Sequence, residues 1–320
     1  MWFYAALALA VVAGIGAPGT AVAQDYPSRQ VTIVVPFAAG NQSDTLARMI
    51  GAAWSKRLGQ PVVILNKPGA TGMLGTDYVA KLPADGYTIQ IGTNSTHAAN
   101  KFFFKSMTYD MEKDFIPIGI VGAAPYVLVV NKSLPVNSVN DLIEYAKANS
   151  GKVSFPFTNS VNRIAGRIFG VQAKIDVTEI PYTTNSQALV ELMDGQTQFM
   201  FTDTATALPF ITAGRIKPLA VMPARNAKLP GVPAITEFLP DLQVDNWTGF
   251  FVRAGTPPAI VARLNQDLNA IVALPGMPAQ IDALGYDLLP AMSPPEWSKF
   301  VANQVVQYGK HVKSAGIEAQ

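Results

Sequence analysis

A chain of 320 residues has room for two lobes, each with its own core. Hydrophobic residues make up 49% and charged residues 14%, which argues against disorder, and a formal net charge of +2 without any basic run argues against nucleic acid or anionic membrane as partner. The lack of cysteine excludes disulfide staples, thiolate zinc sites, thiol nucleophiles and a lipoprotein anchor.

Residues 1–23 carry no charge: an apolar run from Trp2 to about Gly14 leads through small residues to Ala21-Val22-Ala23, just before the polar Gln24-Asp25. This pattern predicts a signal peptide cleaved after Ala23 and a mature protein free in a bacterial periplasm. The apolar run is shorter than the roughly 20 residues that span a bilayer.

Strand and helix patterns then alternate. A β-branched run at 31–35 stops at Pro36, and 41–44 open a helix whose Leu46, Met49, Ile50, Ala53 and Trp54 share one face. A strand at 62–65, a loop at 67–72, a helix to about Lys81 and a strand at 87–91 follow. A second series begins near Tyr126. It has helices at about 139–149, 162–169 and 186–193, and short strands at 154–155, 177–180, 199–201 and 218–221. Residues 245–252 read as extended chain returning to the first lobe, and helices at about 258–274 and 294–315 close the chain. Strand, polar loop and helix in repetition predict parallel βαβ units, with ligands beyond the carboxyl ends of the strands. The expectation is an α/β protein of two lobes, 24–123 plus 246–320 and 124–245, joined by two crossing segments that permit hinge closure.

The polar loops fall at those strand ends and before helices: Asn41-Gln42-Ser43, Thr71, Thr93-Asn94-Ser95, Thr158-Asn159-Ser160 and Thr183-Thr184-Asn185-Ser186. First-turn N–H groups lack internal partners and sit at the positive end of the helix dipole, so an anion fits there. These side chains are neutral donors, which points to a carboxylate held without a buried cation. Ser43, Asp44, Asn162 and Ser186 also read as plain helix caps. Asp203 either accepts from a ligand donor or caps the next helix, and Arg163 either clamps a carboxylate or stays solvated. His97 reads as a surface or pocket-edge residue. His97 and His311 sit in no metal or acid–base motif, so no enzyme activity, metal or cofactor is expected.

The chain resembles the Bug-type solute receptors of tripartite tricarboxylate transporters. Matching segments include Val34-Val35-Pro36-Phe37-Ala38, Asn66-Lys67-Pro68-Gly69-Ala70, Pro83-Ala84-Asp85-Gly86-Tyr87-Thr88, Pro181-Tyr182 and Ala254-Gly255-Thr256-Pro257. The resemblance implies a type II periplasmic-binding-protein-like fold. It also implies a small organic mono- or dicarboxylate gripped by two loops, and delivery to a large and a small permease subunit. The sequence departs from the family in its pocket. The glycine-rich run after Phe37 is Ala39-Gly40-Asn41-Gln42-Ser43; Thr183-Thr184 follow Tyr182 in place of Lys-Gly; Arg163 takes a position usual for His; Thr202 replaces the first of two acids. Phe37, Phe155 and Phe157 either flank an aromatic ligand body or pack in the core. A monomer is expected. The alternatives are a receptor feeding a membrane sensor kinase and, more distantly, an exported hydrolase.

Overall fold

The computed structural model describes residues 26–319, so the expected signal peptide and its cleavage site lie outside the described residues. Strand β1 (Val31–Val35) turns its alternate residues to opposite sides and buries both. Val31, Ile33 and Val35 pack in one cluster with Leu46, Ile50 and Trp54 of helix α1 (Gln42–Leu58); Val34 joins another with Val79. Burial on both faces is why the strand reads as an unbroken apolar run. Gly59, at φ 66°, ends α1 in the left-handed conformation and returns its N–H to Ser55.

β2 (Val62–Asn66), α2 (Met73–Ala80) and β3 (Thr88–Thr93) complete the first parallel unit, with β1 hydrogen-bonded to both β2 and β3. One π-helical turn, Ser95–Ala99, then leads to β4 (Phe115–Ala123). Ala124-Pro125 carries the chain out of this sheet into β5 (Tyr126–Asn131). Then follow α3 (Val139–Ala148), β6 (Ser154–Phe157), α4 (Ser160–Ala173), β7 (Thr178–Pro181), α5 (Asn185–Met193), β8 (Phe199–Asp203), α6 (Thr204–Thr212) and β9 (Ile216–Met222). The chain returns at β10 (Trp247–Arg253) and ends with α7 (Pro258–Val272), α8 (Met277–Ala283), β11 (Asp287–Leu288) and α9 (Pro294–Ser314).

The first sheet has the order β11-β4-β10-β3-β1-β2; β10 runs antiparallel to both β3 and β4. The second, β8-β5-β9, is antiparallel throughout, and β6 and β7 form a parallel pair beside it. The two connections between the lobes run side by side, Ala124 donating its N–H to the Asn246 carbonyl at 2.6 Å.

The all-parallel expectation therefore holds only for β1–β3 and for β6–β7. β4 escapes a sequence reading because Pro117, Gly119 and Gly122 interrupt its apolar run. The helix expected from Asn162 begins at Ser160, since Asn159 caps it by accepting from Val161 and Asn162.

Candidate functional site

Antiparallel pairing brings the ends of four strands to the cleft between the lobes. On the first lobe Thr93, last in β3, is the register partner of Thr248 in β10. On the second Asp203, last in β8, is the partner of Tyr126, first in β5. These four residues line a small inner chamber of about 50 Å³ together with Phe37, Asn41, Gln42, Ser43, Ser95, Asn159, Asn185 and Asn246. A wider cleft of about 790 Å³ adjoins it and shares Phe37, Asn41, Gln42, Asn159 and Asn185. No Lys, Arg or His lines either space among the described residues, and Asp203 is the one acid.

Helix starts face this space from both lobes. Asn41 caps α1 by accepting from the Asp44 N–H at 2.8 Å, and Thr184 caps α5 by accepting from the Gln187 N–H at 3.2 Å. The N–H groups of Gln42 and Ser43 on one side, and of Asn185 and Ser186 on the other, have no protein partner among the described residues. Each pair lies in a first turn with a positive dipole end behind it. The caps are thus Asn41, Asn159 and Thr184, two to three residues before the Ser43, Asp44, Asn162 and Ser186 read from sequence. In each case the earlier side chain reaches forward to the second or third N–H of the helix.

Asp44 is buried behind this site. Its Oδ2 accepts from the Gly40 N–H (2.8 Å) and Arg48 Nε (3.0 Å), and its Oδ1 from Asn66 Nδ2 (2.9 Å). Burial opposes its charge, but the bonds from Arg48, Gly40 and Asn66 outweigh that and hold its carboxyl below the usual range. It fixes the loop 36–41 that presents Asn41 and Gln42. Across the chamber, burial raises the Asp203 carboxyl, and hydrogen bonds from Thr206 and Asn185 only partly offset this.

The eighteen residues proposed from sequence divide cleanly. Phe37, Asn41, Gln42, Ser43, Thr93, Ser95, Asn159 and Asp203 line the chamber. Ala39, Thr71, Thr158, Tyr182, Thr183 and Thr184 line the outer cleft. Asp44, Asn94, Ser160 and Arg163 line neither. Asn94 is fully buried and donates to the Asp245 carbonyl and the Tyr308 hydroxyl, tying β3 to a crossing segment. Ser160 donates to Asn100 Oδ1 at 2.8 Å. Arg163 grips Glu179 with two bonds, 2.7 and 2.9 Å, so its clamp is already taken. His97 is not at an edge: it is fully buried and stacked on Phe251 at 3.8 Å between centroids. Asn185, a site residue that sequence reasoning mentioned only within its loop, reaches Asp203, while Tyr126, Asn246 and Thr248 were missed altogether. All three stand where a crossing segment enters or precedes a strand. An antiparallel strand offers its amino end to the cleft, which a parallel reading does not inspect.

Residues 46–317 match the family described as "Tripartite tricarboxylate transporter family receptor". The chain belongs to this family. Its relatives in sequence include BugT of Bordetella pertussis, 30% identical over 310 residues that cover 95% of this chain and 94% of BugT. A Pseudomonas sp. protein encoded between tcbD and tcbE is 34% identical over 265 residues, 81% of this chain and 79% of that protein. Among solved structures, Rpa4515 of R. palustris with adipate superposes with a TM-score of 0.87 at 34% identity, covering 92% of this chain and all of that one (100%). The periplasmic binding protein BugD gives 0.85 at 31% identity, over 92% of this chain and 100% of BugD. MatC from Rhodopseudomonas palustris with bound malate gives 0.84 at 31% identity, over 90% and 100%. The fold is thus that of the family's periplasmic binding proteins, and the chain is a solute-binding receptor.

Proposed function

We propose that this protein is a periplasmic receptor that closes on a small organic mono- or dicarboxylate and delivers it to the large and small membrane subunits of a tripartite tricarboxylate-type transporter. The lobes that close are 24–123 plus 246–320 and 124–245. One observation carries the reading: unpartnered N–H pairs at the starts of α1 and α5, on opposite walls of a cleft lined by neutral donors. A carboxylate between them satisfies groups that otherwise depend on water, and it meets two dipole ends at once. The bound forms of Rpa4515 with adipate and of MatC with malate agree with this chemistry.

The test begins with a thermal-shift screen of a carboxylate panel that includes adipate and malate, since a ligand specific to the native state raises the melting temperature. Titration calorimetry with the best hit then compares the wild type with the double variant Ser43→Ala, Thr184→Ala. Removal of two hydroxyls from opposite walls is expected to weaken binding about ten-fold or more, roughly 1.4 kcal/mol. Loss of the Thr184 cap costs about 1 kcal/mol of stability, not the fold. Unchanged affinity in the double variant refutes this placement of the ligand.

A further inference from the structure

The inner chamber holds an acid for which carboxylate capture has no use. Asp203 ends β8 and caps α6, and it is 2% exposed. Its oxygens accept from the Thr206 N–H (2.8 Å), the Thr206 hydroxyl (2.8 Å) and Asn185 Nδ2 (3.1 Å). All three donors are neutral, and no cationic side chain lines the chamber. The titratable groups beside it are Tyr126 and Tyr286, buried phenols whose pKa values burial raises. A carboxylate has about four acceptor positions; three take these donors, and only the residue's own N–H stands near the rest.

The opposite wall carries an independent sign of an absent guest. Thr93 lines the same chamber and is 6% exposed, yet its hydroxyl oxygen has no hydrogen-bond partner. A hydroxyl accepts as well as donates, and a buried one left idle is costly. The chamber therefore offers an acid acceptor and a spare hydroxyl without any counter-ion. A second carboxylate placed there would meet another acid in a space where burial already disfavours the first one's charge. A group that donates would meet acceptors on both sides.

We propose that Asp203 determines specificity by accepting a hydrogen bond from an N–H or O–H group on the ligand, which is therefore a hydroxy- or amino-carboxylate rather than an unsubstituted one. This rests on capture of the carboxylate at the helix starts, and it adds a second point of recognition about one chamber away.

Two matched series test it by calorimetry on the whole protein: succinate, malate and aspartate, and 3-phenylpropanoate, 3-phenyllactate and phenylalanine. Within a series the skeleton is constant and only H, OH or NH₃⁺ changes. The expected result is that a donor-bearing member binds at least ten-fold tighter than its unsubstituted parent. In both Asp203→Asn and Asp203→Ser the gap is expected to shrink below three-fold. Asn and Ser are good helix caps, so both variants retain the start of α6. Which member gains most reports whether the donor is a hydroxyl or an ammonium. A parent that binds as tightly as its hydroxy and amino derivatives overturns the proposal, as does a gap that survives both substitutions. The carboxamides of the same compounds separate the two readings. If they bind as tightly as the acids while the gap still responds to Asp203, capture of a carboxylate fails and the role of Asp203 stands.

Discussion

Arg163 sits in the first turn of α4, where a grip on a ligand carboxylate is sterically reasonable. What removes it is Glu179 on β7, placed beside it because β7 pairs in parallel with β6. The Phe103 and Phe157 rings, 5.1 and 5.3 Å from the guanidinium, complete its surroundings. No linear spacing reveals that pairing, whereas the polar loops that hold Asn41 and Thr184 are legible from their place between strand and helix, although the caps within them lie two to three residues before Ser43, Asp44 and Ser186. His97 was illegible for a similar reason: its partner Phe251 lies on β10, far along the chain. Burial lowers the His97 pKa from 6.5 to about 3, and its Nε2 has no partner. Between those values the unfolded chain binds a proton there that the folded protein does not. Stability therefore falls as pH drops from 6.5 toward 3, by about 1.4 kcal/mol per unit for this group, and is level above 6.5. His311, also lowered by burial, adds to the same slope. Urea unfolding at pH 4.5, 5.5 and 6.5 is expected to show this slope, flattened in His97→Gln. An equally steep slope in the variant would place the titration elsewhere.

At the level of elements, strand-loop-helix order identified the class of fold and most of the loops that meet at the cleft. It failed where strands carry glycine and proline, as in β4, and where direction matters, as in β5 and β10. Direction is set by which partner edge is free, a property of the assembled sheet rather than of the strand. The contact that joins elements of the two lobes is equally hidden. Ser160, first in α4, donates to Asn100 Oδ1, which also accepts from the Thr71 hydroxyl at 3.2 Å; Asn100 Nδ2 returns a bond to the Thr71 carbonyl at 3.2 Å. Ala70 and Thr71 hold φ of 47° and 50°, a left-handed backbone that non-glycine residues keep only when their surroundings enforce it. Asn100 is therefore a clasp between the second lobe and a strained loop of the first. Because the Ser160 bond joins the two lobes, Ser160→Ala is expected to act on closure more than on folding. Ligand affinity should fall about five-fold, equivalent to roughly 1 kcal/mol for one hydrogen bond, with each lobe intact. An unchanged dissociation constant in calorimetry would show that the clasp does not contribute to the bound state.

For the molecule as a whole, the proposed closure requires the lobes to approach without obstruction, and one contact shows how close they come. Gly285, between α8 and β11 on the first lobe, abuts Ala205 in the first turn of α6 on the second. A Cβ at position 285 would lie 2.5 Å from that of Ala205. No bulk is tolerated between them in this arrangement, so a larger side chain at either position forces the lobes apart. Gly285 has φ of 82°, which makes a substitution there a test of backbone strain as well as of space. Ala205 is helical and half-buried, and a larger residue can project into the cleft when the lobes separate. Ala205→Leu is therefore expected to hold the lobes apart while each retains its core. Small-angle scattering of the wild type should show a smaller radius of gyration on adding ligand, and the variant should show none. Its affinity should drop at least ten-fold, because the N–H pairs of α1 and α5 can no longer reach one ligand together. A variant that still compacts and binds normally would mean that capture occurs within one lobe, and the two-walled site would have to be abandoned.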